Sequence, residues 1–165
     1  MFENDIEIDK KFMEIALREA EIAASEGEIP VGAVLVKDNQ IIAKEHNRCV
    51  ELNDPTAHAE ILVLRRGGEV LKNYRLNDTV IYVTAEPCAM CVSAMIHGRI
   101  SRLVYGTLEP KTGAVESRIR LLDERHFNHI FQVKRGILEK ECAEILRSFF
   151  KGRRAEHRGE VAELV

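Results

Sequence analysis

The stretch Thr79-Val-Ile-Tyr-Val-Thr-Ala-Glu-Pro-Cys-Ala-Met-Cys-Val-Ser-Ala-Met-Ile-His-Gly98 changes character halfway along. Through Thr84 it is β-branched and apolar, as in a strand buried on both faces. Pro87 then opens a helix that carries Cys91, Ala94, Met95 and Ile96 and stops at Gly98. A buried strand running straight into a helix is the repeating unit of an α/β sheet.

The flanking sequence extends that alternation. Upstream, Asp9 reads as a helix N-cap, with Met13, Ala16, Leu17, Ala20, Ala23 and Ala24 at helical spacing as far as Gly27. Val31–Val36 reads as a buried strand, Asp38-Asn39 as a turn and Ile41–Ala43 as the start of the returning strand, which makes a hairpin. Asp54-Pro55 reads as the N-cap and first position of a helix through Ile61, Leu62 and Leu64 to Gly67-Gly68. Downstream, Arg102–Tyr105 is a fourth strand and Phe131–Val133 a fifth. A last helix sets Leu138, Cys142, Ile145, Leu146 and Phe149 on one apolar face. The expected architecture is a three-layer α/β/α fold around a mixed sheet of about five strands. It is expected to be a single domain over residues 1–165, with a basic C-terminal helix at about 139–158.

Composition bounds what such a domain does. Hydrophobic residues at 45% and charged residues at 31% exclude wholesale disorder. The 24 Lys and Arg against 27 Asp and Glu give a net charge of -3, which does not suit a protein that coats polyanions but leaves room for a local basic patch. The first nine residues are acidic and lack the apolar core of a secretory signal. No apolar run approaches the ~18 residues of a membrane span. A cytoplasmic location is therefore expected. There the four cysteines stay reduced, and Cys88-Ala-Met-Cys91 reads as metal-binding or redox rather than as a disulfide.

Two motifs carry chemistry: His58-Ala-Glu60 and Pro87-Cys-Ala-Met-Cys91, each at the start of a predicted helix. Spacing of three puts both sulfurs on one helix face, and the positive helix end favours thiolates. Two thiolates and a neutral imidazole balance Zn²⁺ and leave a fourth position open, the layout of catalytic zinc. Glu60 can then approach a metal-bound water as general acid/base without being a ligand. Taken singly the motifs have plainer readings. A CxxC pair also serves redox chemistry, and a histidine at a helix start is also a polar cap or a core residue.

At these residues the chain resembles the cytidine-deaminase-like superfamily, whose zinc enzymes pair H-x-E with P-C-x-x-C. More narrowly, it is similar to the bacterial tRNA-specific adenosine deaminases from about Phe12 to Arg154. The matching strings include Ile29–Val36, Asn47-Arg48, Asp54–Glu60, Asn73–Leu76, Glu86–Cys91, Ala94–Ile100, Lys111–Ala114 and Phe149-Phe150. The resemblance implies one zinc per chain on His58, Cys88 and Cys91, with Glu60 as the catalytic proton shuttle. It implies that Asn47 hydrogen-bonds the target base, that the Ala59 backbone helps fix it, and that Ile29, Pro30 and Val31 line its pocket. It further implies conversion of adenosine to inosine at the wobble base of a tRNA anticodon by a homodimer. The loop that in the family contacts RNA beside the flipped base carries Glu109 where Asp is usual, followed by Pro110. Ala85 stands where Leu is usual.

In such an enzyme Glu60 takes a proton from the attacking water, passes it to the ring nitrogen beside C6, and protonates the departing amine. An anticodon loop presents already splayed bases, so unstacking the target costs little. The electrostatic footprint of RNA is expected in Arg147, Lys151, Arg153, Arg154 and Arg158, with Phe150 among them and Phe149 in the core. The same charges also complement a helix C-terminus. Ala94, Met95 and Ile96 are candidates for the dimer interface. Two rival readings stand: a deaminase of free guanine, cytosine or a nucleoside, and a catalytically silent zinc protein that binds RNA. The presence of Glu60 argues against the second.

Overall fold

The computed structural model describes residues 2–163. Helix α1 (Phe2–Ser25) leads into strands β1 (Gly32–Lys37) and β2 (Gln40–His46). Asp38 and Asn39 join these strands with φ of 50° and 58°, the left-handed pair that a two-residue hairpin turn requires. The one-turn helix α2 (Cys49–Leu52) and helix α3 (Ala59–Leu71) follow, then β3 (Thr79–Ala85), α4 (Ala89–Gly98), β4 (Arg102–Thr107), β5 (Gln132–Arg135) and α5 (Glu139–Glu163). The strand order is β2-β1-β3-β4-β5. Strand β1 pairs antiparallel with both β2 and β3, and β3, β4 and β5 run parallel.

The period of two along the central strands separates two cores. Ala33, Leu35, Ile81, Val83, Leu103 and Tyr105 face α3 and α4 and pack on Val63, Cys91, Val92 and Met95. Val34, Val36, Tyr82 and Val104 face the other way, against Phe12, Met13 and Ala16 of α1 and Cys142 of α5. The fold is thus the expected α/β/α sandwich with a mixed five-stranded sheet. Gly32 lets α1 sit directly on β1, since a Cβ there would lie 1.9 Å from the carbonyl oxygen of Ala16.

Several boundaries depart from the sequence reading, each for a local reason. Helix α1 starts at Phe2, and Asp9 lies inside it, fully buried, instead of capping it. The Asp9 carboxylate accepts hydrogen bonds from Arg102 (2.7 and 3.0 Å), Lys134 (2.8 Å) and the Tyr82 hydroxyl (2.9 Å). It therefore fastens α1 to β3, β4 and β5. Asp54-Pro55 does not open α3. Asp54 Oδ1 instead accepts the Thr56 N–H and hydroxyl in a turn, and the helix begins at Ala59 with His58 as N-cap. Gly67-Gly68 lies within α3, which closes only at Lys72 in the left-handed conformation. Cys88, not Pro87, marks the entry to α4. Met95 and Ile96 are 0% and 5% exposed, so they belong to the core and cannot form a dimer surface. Phe149 is half-buried rather than in the core.

Burial alone would raise the Asp9 pKa, but the hydrogen bonds from Arg102, Lys134 and Tyr82 outweigh it and hold the carboxyl below its ordinary value. Its contribution is then fully present above the unfolded carboxyl pKa and is lost as pH falls through the lower folded one. Asp9→Asn should cost about 3 kcal/mol, the low end for breaking a buried pair because Arg102 and Lys134 still reach water. Thermal melts at neutral pH should show a Tm lower by roughly 6–12 °C, and the gap between the two proteins should narrow in acid. Equal melting curves at neutral pH would refute this role.

Candidate metal centre and substrate pocket

Helices α3 and α4 begin beside each other, and each entry residue is a prospective ligand. His58 and Cys88 occupy the N-cap positions in extended backbone conformation, with ψ of 149° and 174°. Neither side chain caps its own helix. Both are therefore free to point off the helix ends toward each other. Cys91, in the first turn of α4, completes the group. His58 Nδ1 lies 3.7 Å from Cys88 Sγ and 3.6 Å from Cys91 Sγ. All three ligand atoms fall within 4.8 Å of one another, and this is the only such group of three among the described residues. The group is positioned to bind a metal ion.

The three groups set one another's protonation. The neighbouring Cys91 thiol and His58 hold Cys88 down at about 4, despite its burial. The first-turn backbone N–H of Cys91 contributes in the same direction, as a helix N-terminus should. Cys91 is pushed the other way, first by its hydrogen bond to Cys88 and then by its own burial. His58 is raised by its hydrogen bond to Cys88.

Glu60 sits in the first turn of α3, 4% exposed, and its Oε2 has no hydrogen-bond partner. Burial pushes its carboxyl up to about 7. A buried carboxylate oxygen left without a donor is unusual unless something else meets it. Glu60 lines a cavity of about 680 Å³, and with His58, Cys88 and Asn47 it makes the floor. The volume suits a small organic ring with room beyond it.

Asn47 ties the floor together. Its Oδ1 accepts the Ala59 N–H at 2.8 Å, one of the donors left over at the start of α3. The Asn47 amide nitrogen makes no hydrogen bond among the described residues, and Asn47 lines the cavity. The Ala59 N–H is thereby occupied by Asn47, and Ala59 is buried behind the lining.

Ile29 and Val31 form one wall, and the loop of Leu108, Glu109, Pro110, Lys111 and Thr112 forms another. Leu146, Arg147, Phe150 and Arg154 of α5 close the third side. Pro30 is buried and does not line the cavity. Arg153 also lies off the lining. Its guanidinium stacks 5.1 Å from the Phe149 ring and donates to the Gly27 carbonyl.

Sequence reasoning gave no role to two buried acids near the site. Glu28 accepts the Val50 and Glu51 N–H groups at 2.8 and 2.9 Å and so caps α2. Glu86 gathers donors from the 109–117 loop. Burial would raise its pKa, but hydrogen bonds from Ser117, Glu116 and Glu109 hold it low. An acid that closes an otherwise apolar strand is a signal that marks Glu86; nothing in the sequence marks Glu28. Cys142 is a buried thiol, pushed up to about 12 by burial, and the His129 ring is paired with the Ile100 carbonyl.

Known proteins resemble this chain over most of its length. A family model described as MafB19-like deaminase matches residues 7–154. The tRNA-specific adenosine deaminase of Haemophilus influenzae is 48% identical over 159 residues, covering 96% of this chain and 92% of that one. Its counterpart in Agrobacterium fabrum is 50% identical over 145 residues, covering 88% and 95%. A structure from a study of A-to-I editing by tRNA:A34 deaminases at the wobble position of transfer RNA superposes with a TM-score of 0.81. It is 50% identical and covers 82% of this chain and 99% of its own. With identity of this order across nearly the whole length, and a His-Cys-Cys group with a buried glutamate at the floor of its pocket, the chain belongs to the family of tRNA-specific adenosine deaminases.

Proposed function

We propose that this chain is a zinc enzyme that hydrolyses adenosine to inosine at the wobble position of a tRNA anticodon. The observation that carries the reading is Glu60 Oε2, buried and unpartnered, at the floor of a cavity beside three converging metal-ligand atoms. The donor set fits zinc. Tetrahedral bonds of about 2.0–2.1 Å to nitrogen and about 2.3 Å to sulfur place N and S about 3.6 Å apart, and the two N–S separations are 3.6 and 3.7 Å.

His58 Nδ1, Cys88 Sγ and Cys91 Sγ would hold the metal. When bound, zinc acts as a Lewis acid that makes a water nucleophilic at neutral pH. Glu60 takes the proton from the attacking water on Oε2 and gives it to the adenine ring nitrogen beside C6. It then takes the remaining proton of the hydroxyl now bonded to C6 and passes it to the amine, so that the C6–N bond breaks, ammonia leaves and C6 becomes a carbonyl. Burial favours the protonated carboxyl and a neighbouring cation favours the carboxylate, so the two effects oppose each other, as a group that alternates between both forms needs. The Asn47 amide nitrogen donates to the base, while Ile29 and Val31 pack against its faces. Ala59 acts indirectly, by fixing Asn47.

A 680 Å³ cavity exceeds what a purine ring fills, and its outer part is walled by Lys111, Arg147 and Arg154 with Phe150 half-open to solvent. Cationic and aromatic side chains at the rim suit a strand of RNA passing out of the pocket. Glu109 belongs to the same rim. A free-base enzyme needs none of these groups, which favours the RNA reading over guanine, cytosine or a nucleoside. Location in the cytoplasm, where tRNA resides, and homodimerisation are parts of the same reading. Of the three interface candidates on α4 only Ala94 stays partly exposed, so a dimer surface there would use Ala94 and not Met95 or Ile96. No helix among the described residues is long and apolar enough to cross a membrane.

Elemental analysis should find about one zinc per wild-type chain and little in Cys88→Ala, which should also melt earlier because metal binding contributes folding energy. Glu60→Ala should keep metal and fold while inosine formation in an anticodon stem-loop drops at least ~10²-fold. Normal turnover in that metal-replete variant would refute the proton-shuttle role.

The two neighbouring arginines should separate. Arg154→Ala should weaken stem-loop binding and flatten its salt dependence by about one slope unit, as for one lost phosphate contact. Arg153→Ala, which removes the tie to Gly27, should leave the slope unchanged. Identical slopes for wild type and Arg154→Ala, measured across a salt series, would take Arg154 out of the RNA site.

A further inference from the structure

The carboxylate of Glu86 lies just after β3, two residues before Cys88, and the chemistry assigned above makes no use of it. It is 3% exposed. Its Oε1 accepts the backbone N–H groups of Val115 (3.1 Å), Glu116 (2.8 Å) and Ser117 (2.9 Å). Its Oε2 accepts the Glu109 N–H (3.1 Å) and the Ser117 hydroxyl. All five donors come from the single segment 109–117. A buried carboxylate is costly unless its lone pairs are met, and here one stretch of chain meets them.

Further contacts hold the same segment to the strand end. The Ala114 N–H donates to the Pro87 carbonyl at 2.9 Å, and Gly113 forms a backbone bridge with Cys88. A Cβ on Gly113 would fall 2.4 Å from Glu86 Cδ and Oε2, so glycine is what lets the loop close on the anion. The outer half of this loop is the pocket wall containing Glu109, Pro110, Lys111 and Thr112, of which the last three are exposed. The catalytic floor lies deeper, at His58, Glu60 and Cys88. This exposed wall is open to contact by a polynucleotide whose base reaches that floor.

We propose that Glu86 is a positioning residue for RNA: its carboxylate fixes the 108–112 wall in the shape that the strand crosses, and thereby sets the affinity for RNA without touching the base. The proposal rests on the reading of the chain as a deaminase of an anticodon loop. It predicts a specific kinetic signature. A wall that binds ground state and transition state alike acts on KM and not on kcat. A merely structural carboxylate would instead lower the fraction of folded, metal-loaded enzyme, which reduces apparent kcat at constant KM.

The experiment compares wild type, Glu86→Gln and Ser117→Ala, each assayed for metal content and for inosine formation in an anticodon stem-loop. In Glu86→Gln the amide can keep an oxygen toward residues 115–117 but turns a donor toward the Glu109 N–H. The expected result is a KM higher by about tenfold, the scale of losing a charge-assisted hydrogen bond, with kcat per bound metal within about threefold. Ser117→Ala should move KM in the same direction by about threefold. Trypsin should cut faster after Lys111 or Arg118 in both variants. An unchanged KM in metal-replete Glu86→Gln, or a fall in kcat alone, overturns the proposal. If Glu86→Gln fails to fold, Ser117→Ala decides, and an unchanged KM there overturns it. A wild-type chain that forms no inosine in the stem-loop refutes the functional reading itself, and the proposal with it.

Discussion

Everything at the site depends on two helices starting at one place with the wrong residues, by capping standards, at their N-caps. Histidine and cysteine are poor caps compared with Ser, Thr, Asp or Asn. His58 and Cys88 leave their helix ends without a side-chain acceptor of their own. What is given up in capping is recovered as direction. A side chain that does not fold back onto its own N2 or N3 amide can extend along the helix axis, and two such side chains can meet. The unmet amides still matter. Asn47 reaches across to take the Ala59 N–H, so one of them is satisfied by a residue that also faces the cavity.

The same arrangement explains how Glu60 is placed. Residues two apart inside a helix diverge by about 200° and cannot share a site on its flank. His58 is outside the helix, however, and only Glu60 is bound by helical geometry. The glutamate stays buried in the first turn while the histidine extends past the end. A His-x-Glu spacing is thus suited to a helix start and ill suited to a helix interior.

The sequence made the architecture legible because the central strands are apolar on both faces and the helices between them have clear apolar stripes. It also exposed the metal group, since H-x-E and P-C-x-x-C are local patterns. What it hid was long-range. Asp9 looks like an N-cap because its neighbours are helical, and nothing local reveals that Arg102, Lys134 and Tyr82 claim it. Asp54-Pro55 looks like a helix start, and the turn that Asp54 makes with Thr56 uses the same capping chemistry ahead of the helix itself. Met95 and Ile96 look like surplus apolar surface because α4 is apolar nearly all round. A helix so apolar is buried, and the core between α3, α4 and the sheet takes both residues. Arg153 and Arg154 are indistinguishable in sequence, because which side of α5 faces the pocket is set by packing.

That last difference bears on how an acidic protein can serve an anionic substrate. The net charge of -3 is a sum over the whole chain, and at physiological salt the field of exposed charges decays over about 8 Å. A phosphate at the pocket therefore responds to the rim and hardly at all to the distant acids. Nor are those acids arranged as a uniform repulsive field. Several of the buried ones are committed internally: Asp9 to two cations, Glu28 to the α2 amides, Glu86 to the pocket loop. Of the basic residues of α5, Arg153 is likewise committed inward, to Phe149 and Gly27, and Arg147 pairs with Glu144 at the surface. Arg154, one position on from Arg153 and about 100° around the helix, is left for the cavity. Counting charges along the sequence therefore gives a poor measure of the RNA site. The number that matters is how many cations at the rim have no internal partner, and that is fixed by the packing of α5 against the pocket.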